Sequence, residues 1–183
     1  MNVIPTDLPG VVIIEPRVFR DDRGYFLETW NAERYQEVGL PPFVQDNLSY
    51  SNHGVLRGLH YQHPGDQGKL VSVIAGEVFD VAVDIRPDSP TFRQWVGVTL
   101  SAENARQLYV PAGFAHGFVV TGPTARFAYK CTDLYQPHHE GSLRWNDPDL
   151  TIAWPIASPV ISPKDAAAPL LKDVDHERLP RVS

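Results

Sequence analysis

The sequence predicts an all-β domain in which many short strands form a sandwich or barrel, with a few short helices. Seventeen prolines and thirteen glycines, scattered rather than repeated, cut 183 residues into short segments and leave few places for a helix of ordinary length. Between Val44 and Thr132 apolar and polar residues alternate with period two, as in strands with one face buried. Turn-forming residues recur along that stretch at similar intervals, as sandwiches and barrels require. At 43% hydrophobic residues the chain can build one sizeable core and is short for two, so a single domain over residues 1–183 is expected.

The first residues, MNVIPTDLPGVVIIEP, lack a basic segment leading into a long apolar core. No window approaches the roughly 18 apolar residues of a membrane span, so a soluble, cytoplasmic protein is expected with no membrane partner. NAERYQEVG, Asn31 to Gly39, reads as a short helix with an asparagine N-cap and a terminating glycine. VLRGLHYQHPGDQGKL, Val55 to Leu70, alternates like a strand yet concentrates Arg57, His60, His63 and Lys69. In EVFDVAVDIR, Phe79, Val81, Val83 and Ile85 share one face, while Asp80 and Asp84 punctuate the other, which either meets solvent or lines a polar cavity. KLVSVIAG, FRQWVGVTL, RQLYVP, HGFVVTG and ARFAYKCT read as further strands. Gly76, Asp88-Ser89-Pro90, Asn104, Pro111–Gly113 and Gly122-Pro123 supply the expected turns. SAEN and SPKDAAAPLL allow short helical turns, Asn146-Asp147-Pro148 is an ordinary turn, and the charged tail from about 172 is expected to be loosely held.

A formal charge of -6 argues against a nucleic-acid partner, which needs a broad positive patch, so an anionic ligand must be held by local arginines and lysines. Cys131 is the one cysteine, which excludes an intramolecular disulfide framework and fits a reducing compartment; it reads as a small buried hydrophobe.

PAGFAH, Pro111 to His116, resembles Pro-x-Gly-x-x-His, the second half of the cupin signature, and implies a cupin-type double-stranded β-helix, or jelly roll. In the first half, the residue seven before Gly76 is Lys69, where a cupin carries a metal-binding glutamate. His60 and His63 lie three apart, and on a strand an odd spacing turns them to opposite faces. A divalent cation sits badly beside an ammonium group, so neither a metal nor another cofactor is expected.

Read in order, FRDDRGYFLETW, QDNLSYS, GVLRGLHYQ, GKLVSVIAGEVFDVAVDIR, GVTLSAEN, VPAGFAHGF, FAYKCTDLY, WNDPDLTIAWP and ISPKD closely resemble the dTDP-4-dehydrorhamnose 3,5-epimerase family from about Val11 to Asp165. The resemblance implies an isomerase that inverts C3 and C5 of a dTDP-linked 4-keto-6-deoxyglucose. Both carbons flank the C4 ketone, so the chemistry needs a base on one face, an acid on the other and a cation at the enolate oxygen. The matching positions are His60 as base, Asp165 as its orienting partner, Tyr129 as acid, with Tyr135 its rival, and Lys69 as enolate stabiliser. An imidazole, with an ordinary pKa of about 6.5, suits the base.

For the nucleotide the resemblance implies Arg23 and Arg57 on the diphosphate, with Gly24 and Gly58 permitting close approach of backbone to ligand. It implies Glu28, Gln45 and Asn47 as hydrogen-bonding residues, Tyr135 as the thymine stack, and His116, Glu140 and Lys164 as further substrate contacts. It also implies a homodimer with exchanged N-terminal strands. Three competing functions stay open on sequence: an epimerase of a related keto sugar acting at C3 only or C5 only, a metal-dependent cupin oxygenase, and a non-catalytic sugar-nucleotide sensor.

Overall fold

Two strands organise the molecule. In the computed structural model, which describes residues 1–182, β7 (Lys69–Asp84) and β10 (Phe114–Cys131) run antiparallel along nearly their whole lengths. Both bend midway. Between Val120 and Ala125 of β10 the register slips, so that four residues lie opposite Glu77 alone. Gly76, at φ +83°, sits at that bend, and a Cβ there would lie 1.8 Å from the Thr124 carbonyl oxygen. Gly76 and Gly122-Pro123 are thus not the hairpin turns expected from sequence. A turn residue inside a strand marks a bulge when the flanking segments keep the same neighbour.

Because both strands bend, each serves two layers. The first half of β10 pairs with β6 (Leu56–Gln62), which pairs with β11 (Glu140–Ser142); the second half of β7 pairs with β8 (Trp95–Ser101). In the other layer the second half of β10 pairs with β5 (Gln45–Asn52), and the first half of β7 with β9 (Gln107–Val110). β2 (Val12–Glu15) and β1 (Asn2–Pro5) extend that layer beyond β9. Val71, Val73, Val78, Ala82, Phe114, Phe118, Val120 and Phe127 come from both halves of the long strands and meet in one buried core between the layers. The architecture is the cupin-type jelly roll.

The outer faces are covered separately. The helix α1 (Ala32–Glu37) follows its Asn31 cap, whose Oδ1 accepts from the Arg34 N–H at 3.1 Å, and buries Tyr35 against Ile14, Leu40 and Leu70. On the other layer Leu59, Val81, Val83 and Ile85 are covered by Leu143, Leu150, Leu171 and Leu179. EVFDVAVDIR is therefore buried on both faces. Asp84 lies wholly inside, where Arg86 holds it bidentately at 2.9 and 2.8 Å and Thr91 donates at 2.6 Å. Asp80 faces the interior of the sandwich.

The tail differs from expectation. Its charges face water, but Leu171 and Leu179 are buried, and the buried Asp147 of the ordinary-looking turn accepts from the Leu171 N–H at 2.7 Å. Two apolar residues spaced along a charged segment were enough to dock it. A hairpin of β3 (Val18–Asp21) and β4 (Gly24–Leu27) pairs only with itself. No helix among the described residues is long and apolar enough to cross a membrane.

Leu179→Ala is expected to destabilise the protein by about 2–4 kcal/mol, the range for emptying a closed apolar site. Urea denaturation checks this; a loosely held tail would leave the midpoint unchanged.

Candidate active site

The inner faces of the two layers enclose a cavity of about 320 Å³, and strand register dictates which side chains line it. In one layer Asn47, Tyr129 and Val71 lie directly across from one another on β5, β10 and β7, and Gln45, Cys131 and Lys69 form the next row on the same face. In the other layer Ser142, His60, His116 and Ala82 form a row across β11, β6, β10 and β7, with Glu140 opposite Gln62 beside it. The cavity is lined by His60 from one layer and by Lys69 and Tyr129 from the other.

Asp165 reaches His60 from the far end of the sequence. The Val160 N–H and carbonyl bond to Gly54 and Leu56, which pins this segment beside the start of β6. The short helix α2 (Pro163–Ala166) follows, capped by Ser162, and its buried Asp165 carboxylate meets His60 Nε2 at 2.7 Å. The second carboxylate oxygen accepts from the Gly58 N–H at 3.4 Å. Burial opposes the charge on Asp165, but the bond to His60, the Gly58 N–H and the Ser162 side chain hold its carboxyl below the usual range. With Nε2 engaged, Nδ1 is the ring nitrogen left free of the carboxylate.

Burial pulls the Lys69 ammonium down from its ordinary value, opposed by the charges of Asp80 and Glu140. Burial pushes the Tyr129 phenol and the Cys131 thiol up. Cys131 is buried as read from sequence, its sulfur within 3.7 Å of Asn47 Nδ2. At the mouth, Glu140 Oε2 accepts from Lys164 Nζ at 2.6 Å and from the Tyr135 hydroxyl at 2.9 Å. Burial alone would raise the Glu140 carboxyl; these two donors keep it low.

Of the sequence candidates, His60, Lys69, Gln45, Asn47, Tyr129, Tyr135 and Glu140 line this cavity. Arg57, Lys164 and Asp165 line an adjoining cleft that shares His60. Arg57 is three residues from His60, an odd spacing that would turn it to the other face. The β6 register slips between them, so that His60 lies opposite His116 and Arg57 opposite Phe118, two residues apart on β10 and therefore on one face. His63, beyond the strand end, faces a third cavity and bonds Asp66 at 2.6 Å.

Two expectations differ from the structure, those for Gly58 and His116. Gly58 does not make room for a ligand: a Cβ there would meet Gly117 Cα at 2.6 Å and the His116 carbonyl at 2.8 Å, so its glycine serves the approach of β6 to β10. His116 does not line the cavity; it is buried, bound through Nε2 to both oxygens of Asp80 at 2.9 and 3.0 Å, with its ring stacked on Phe127. Arg23 and Glu28 lie apart from the cavity of their own chain. Arg23, with its side chain 90% exposed, pairs with Asp21, and Glu28 pairs with Arg34. Gln62 and Gln67, which the sequence reading passed over, also line the cavity. The period-two pattern could have flagged Gln62, which lies two residues from His60 on the same face.

A family model for dTDP-4-dehydrorhamnose 3,5-epimerase matches residues 5–173. The dTDP-4-dehydrorhamnose 3,5-epimerase of Salmonella typhimurium is 57% identical over 93% of this chain and 96% of its own length, and that of Pseudomonas aeruginosa 56% over 92% and 94%. The crystal structure of dTDP-6-deoxy-D-glucose-3,5-epimerase from Legionella pneumophila Philadelphia 1, in complex with dTDP-4-keto-L-rhamnose, superposes with a TM-score of 0.97 at 58% identity, covering 100% of this chain and 98% of that one. A 3'-monoepimerase from Streptomyces bikiniensis, in complex with dTDP-quinovose, superposes at 0.91 with 34% identity, covering 97% and 92%.

The depressed Asp165 carboxyl contributes stability that is complete above the ordinary aspartate pKa of 3.8 and is lost as pH falls from there through its folded value. Asp165→Asn is therefore expected to flatten the acid limb of a plot of Tm against pH below about pH 4. An unchanged limb in thermal melts would show that the bond to His60 does not hold the carboxyl down.

Proposed function

The chain belongs to the dTDP-4-dehydrorhamnose 3,5-epimerase family, and on that premise we propose that it is an isomerase converting dTDP-4-dehydro-6-deoxy-D-glucose to dTDP-4-dehydro-L-rhamnose by inversion at C3 and C5. One observation carries the residue roles: an imidazole with an orienting carboxylate and a half-buried phenol stand on opposite walls of one cavity, which an ammonium group also lines. Inversion requires that arrangement, since the proton must leave from one face of the carbon and return to the other.

His60 Nδ1 takes the proton from the carbon next to the ketone, the C–H electron pair forms a double bond between that carbon and C4, and the C4 carbonyl π pair moves onto the oxygen. Asp165 keeps the ring in place and stabilises the imidazolium as it forms. Lys69 meets the enolate charge in a site from which water is largely removed, where an ammonium counts for far more than in solvent. The enolate collapses, its carbon takes the Tyr129 hydroxyl proton on the opposite face, and solvent restores both side chains. The raised Tyr129 pKa supports this role, because it keeps the phenol protonated until the carbon demands the proton. No cofactor enters these steps.

Arg57 beside His60 suits the diphosphate, and the half-exposed Tyr135 ring at the mouth suits the thymine. Lys164, Glu140, Gln45 and Asn47 provide polar contacts around them. His116 belongs to the same proposal only as a buried support behind the row that carries His60.

Arg23 and Glu28 are proposed to serve the cavity of a second copy, the whole chain forming one domain of a homodimer. Support comes from the exposed apolar side chains. Phe19, Tyr25 and Phe26 project from the β3–β4 hairpin, and Leu48, Tyr50 and Ile74 from the outer face of β5 and β7. A cytoplasmic location is part of the proposal, supported by the single free thiol.

The Streptomyces bikiniensis neighbour makes inversion at one carbon the second reading, since the same fold hosts it at a lower identity. Incubation in heavy water with the keto sugar nucleotide, followed by NMR, separates the two: label at both C3 and C5 is expected, and label at C3 alone would favour the second reading. His60→Asn should abolish exchange at both carbons while leaving dTDP affinity nearly intact, whereas Tyr129→Phe should still exchange yet make little inverted product. Retained exchange without His60 would remove it as base. Co-expression of Arg23→Ala with His60→Asn chains should recover activity absent from either variant alone, because the mixed dimer has one intact site. No recovery, or a monomer in sedimentation, would overturn the exchange of arginines.

A further inference from the structure

Three glutamines converge on one short loop. The Thr132–Gln136 segment leaves β10 and carries Tyr135 to the mouth of the cavity, and its backbone is bonded residue by residue to glutamine side chains. Gln45 Oε1 accepts from the Tyr135 N–H at 2.8 Å. Gln62 Oε1 accepts from the Gln136 N–H at 2.7 Å, while its Nε2 donates to the Leu134 carbonyl at 3.1 Å and the Gly65 carbonyl at 2.5 Å. Gln67 Nε2 donates to the Asp133 carbonyl at 2.8 Å. Thr132 adds a reciprocal pair, its N–H to the Gly68 carbonyl and its hydroxyl accepting from the Gly68 N–H. The loop after β6 and the loop after β10 are thereby laced into one unit. Gly65 permits it, since a Cβ there would lie 2.8 Å from Gln136 Nε2.

Gln62 is the centre of this unit. It is buried, two residues from His60 on the same strand face, and its three bonds all go to the two loops rather than into the cavity. A buried amide whose bonding is spent wholly on loop backbone fixes that backbone, because breaking any one bond leaves a polar group without water.

We infer that Gln62, assisted by Gln67, is a positioning residue for nucleotide recognition: it holds the Leu134–Gln136 backbone so that the Tyr135 ring is ordered over the cavity mouth before the ligand arrives. The gain is preorganisation. A loop already ordered does not lose its freedom on binding, so affinity rises with no new contact to the ligand. Proton transfer, carried by side chains deeper in the cavity, does not depend on this ordering once the site is filled. The inference rests on the reading of Tyr135 as the residue that stacks on the nucleobase.

Titration calorimetry with dTDP on the full-length protein, together with steady-state kinetics, tests it. Gln62→Leu should raise the Kd for dTDP and the KM by about tenfold and leave kcat within about twofold. Tyr135→Ala should weaken dTDP comparably, and the double variant should be no weaker than the weaker single one, because Gln62 acts through Tyr135. Additive losses, or a kcat that falls with KM unchanged, would overturn the inference. A Tyr135→Ala variant with unaltered affinity would instead overturn the stacking role and take the inference with it, whereas loss in Tyr135→Ala beside an unaffected Gln62→Leu sinks the brace alone. Gln67→Leu, on the less buried loop, carries the same test should Gln62→Leu fail to fold. Its expected rise is about threefold, again not additive with Tyr135→Ala.

Discussion

The pairing of β7 with β10 through a shared bend is the constraint on which the rest of the molecule depends. Two antiparallel strands that stay hydrogen-bonded while both change direction convert one ladder into two facing layers. At Gly76 the backbone takes a positive φ with the Thr124 carbonyl almost where a side chain would start, so no other residue can occupy the bend without displacing β10. The slip of register opposite Glu77 absorbs the difference in path length. His60 is carried on one layer and Tyr129 on the other, and only the fold-back turns them toward a common space.

The same burial that closes the core sets the electrostatics of the site. Lys69 lies where an ammonium loses hydration, and among the described residues no carboxylate is hydrogen-bonded to it; Asp80 and Glu140 act on it through space. Such a charge is costly in the resting protein and correspondingly effective toward an anion that forms beside it. Tyr129 shows the complementary effect, burial favouring its neutral form. Asp165 is the contrasting case, a carboxylate kept ionised because an imidazole and an N–H donor meet it directly. Desolvation thus favours the neutral form of Lys69 and Tyr129, whereas at Asp165, in the adjoining cleft, direct hydrogen bonds outweigh it.

The rim is built differently from the floor. Floor residues are fixed by strand register, which leaves little freedom, whereas Tyr135 stands on a loop whose order depends on side-chain amides and on Gly65 and Gly68 keeping two loops close. Arg57 is intermediate: it stands on a strand, yet its direction depends on a local slip in pairing between Arg57 and His60. The hairpin with Arg23 pairs with no other strand among the described residues.

Much of this was legible from residues alone. Alternation over Val44–Thr132, scattered proline and glycine, and the Asn31 cap are local signals, set by backbone preference and side-chain direction, and they yielded the strands of that stretch and the first helix, though not the strands before Gln45 or the short one at Glu140–Ser142. The ordered motifs led to the family, with His60, Lys69 and Tyr129 as its chemistry-bearing residues. What the sequence could not decide were relations between distant segments. Whether Gly76 and Gly122-Pro123 turn the chain or bend it depends on whether the neighbouring strand continues alongside. Whether Asp80 faces water or the interior depends on the second layer, and whether the charged tail is loose depends on the apolar face left open for Leu179. The sequence by itself determined which side chains share a strand face, because the period of two is a property of the backbone. Only the tertiary structure decided which faces look at one another, because that follows from non-local pairing and burial, to which no short stretch of residues has access.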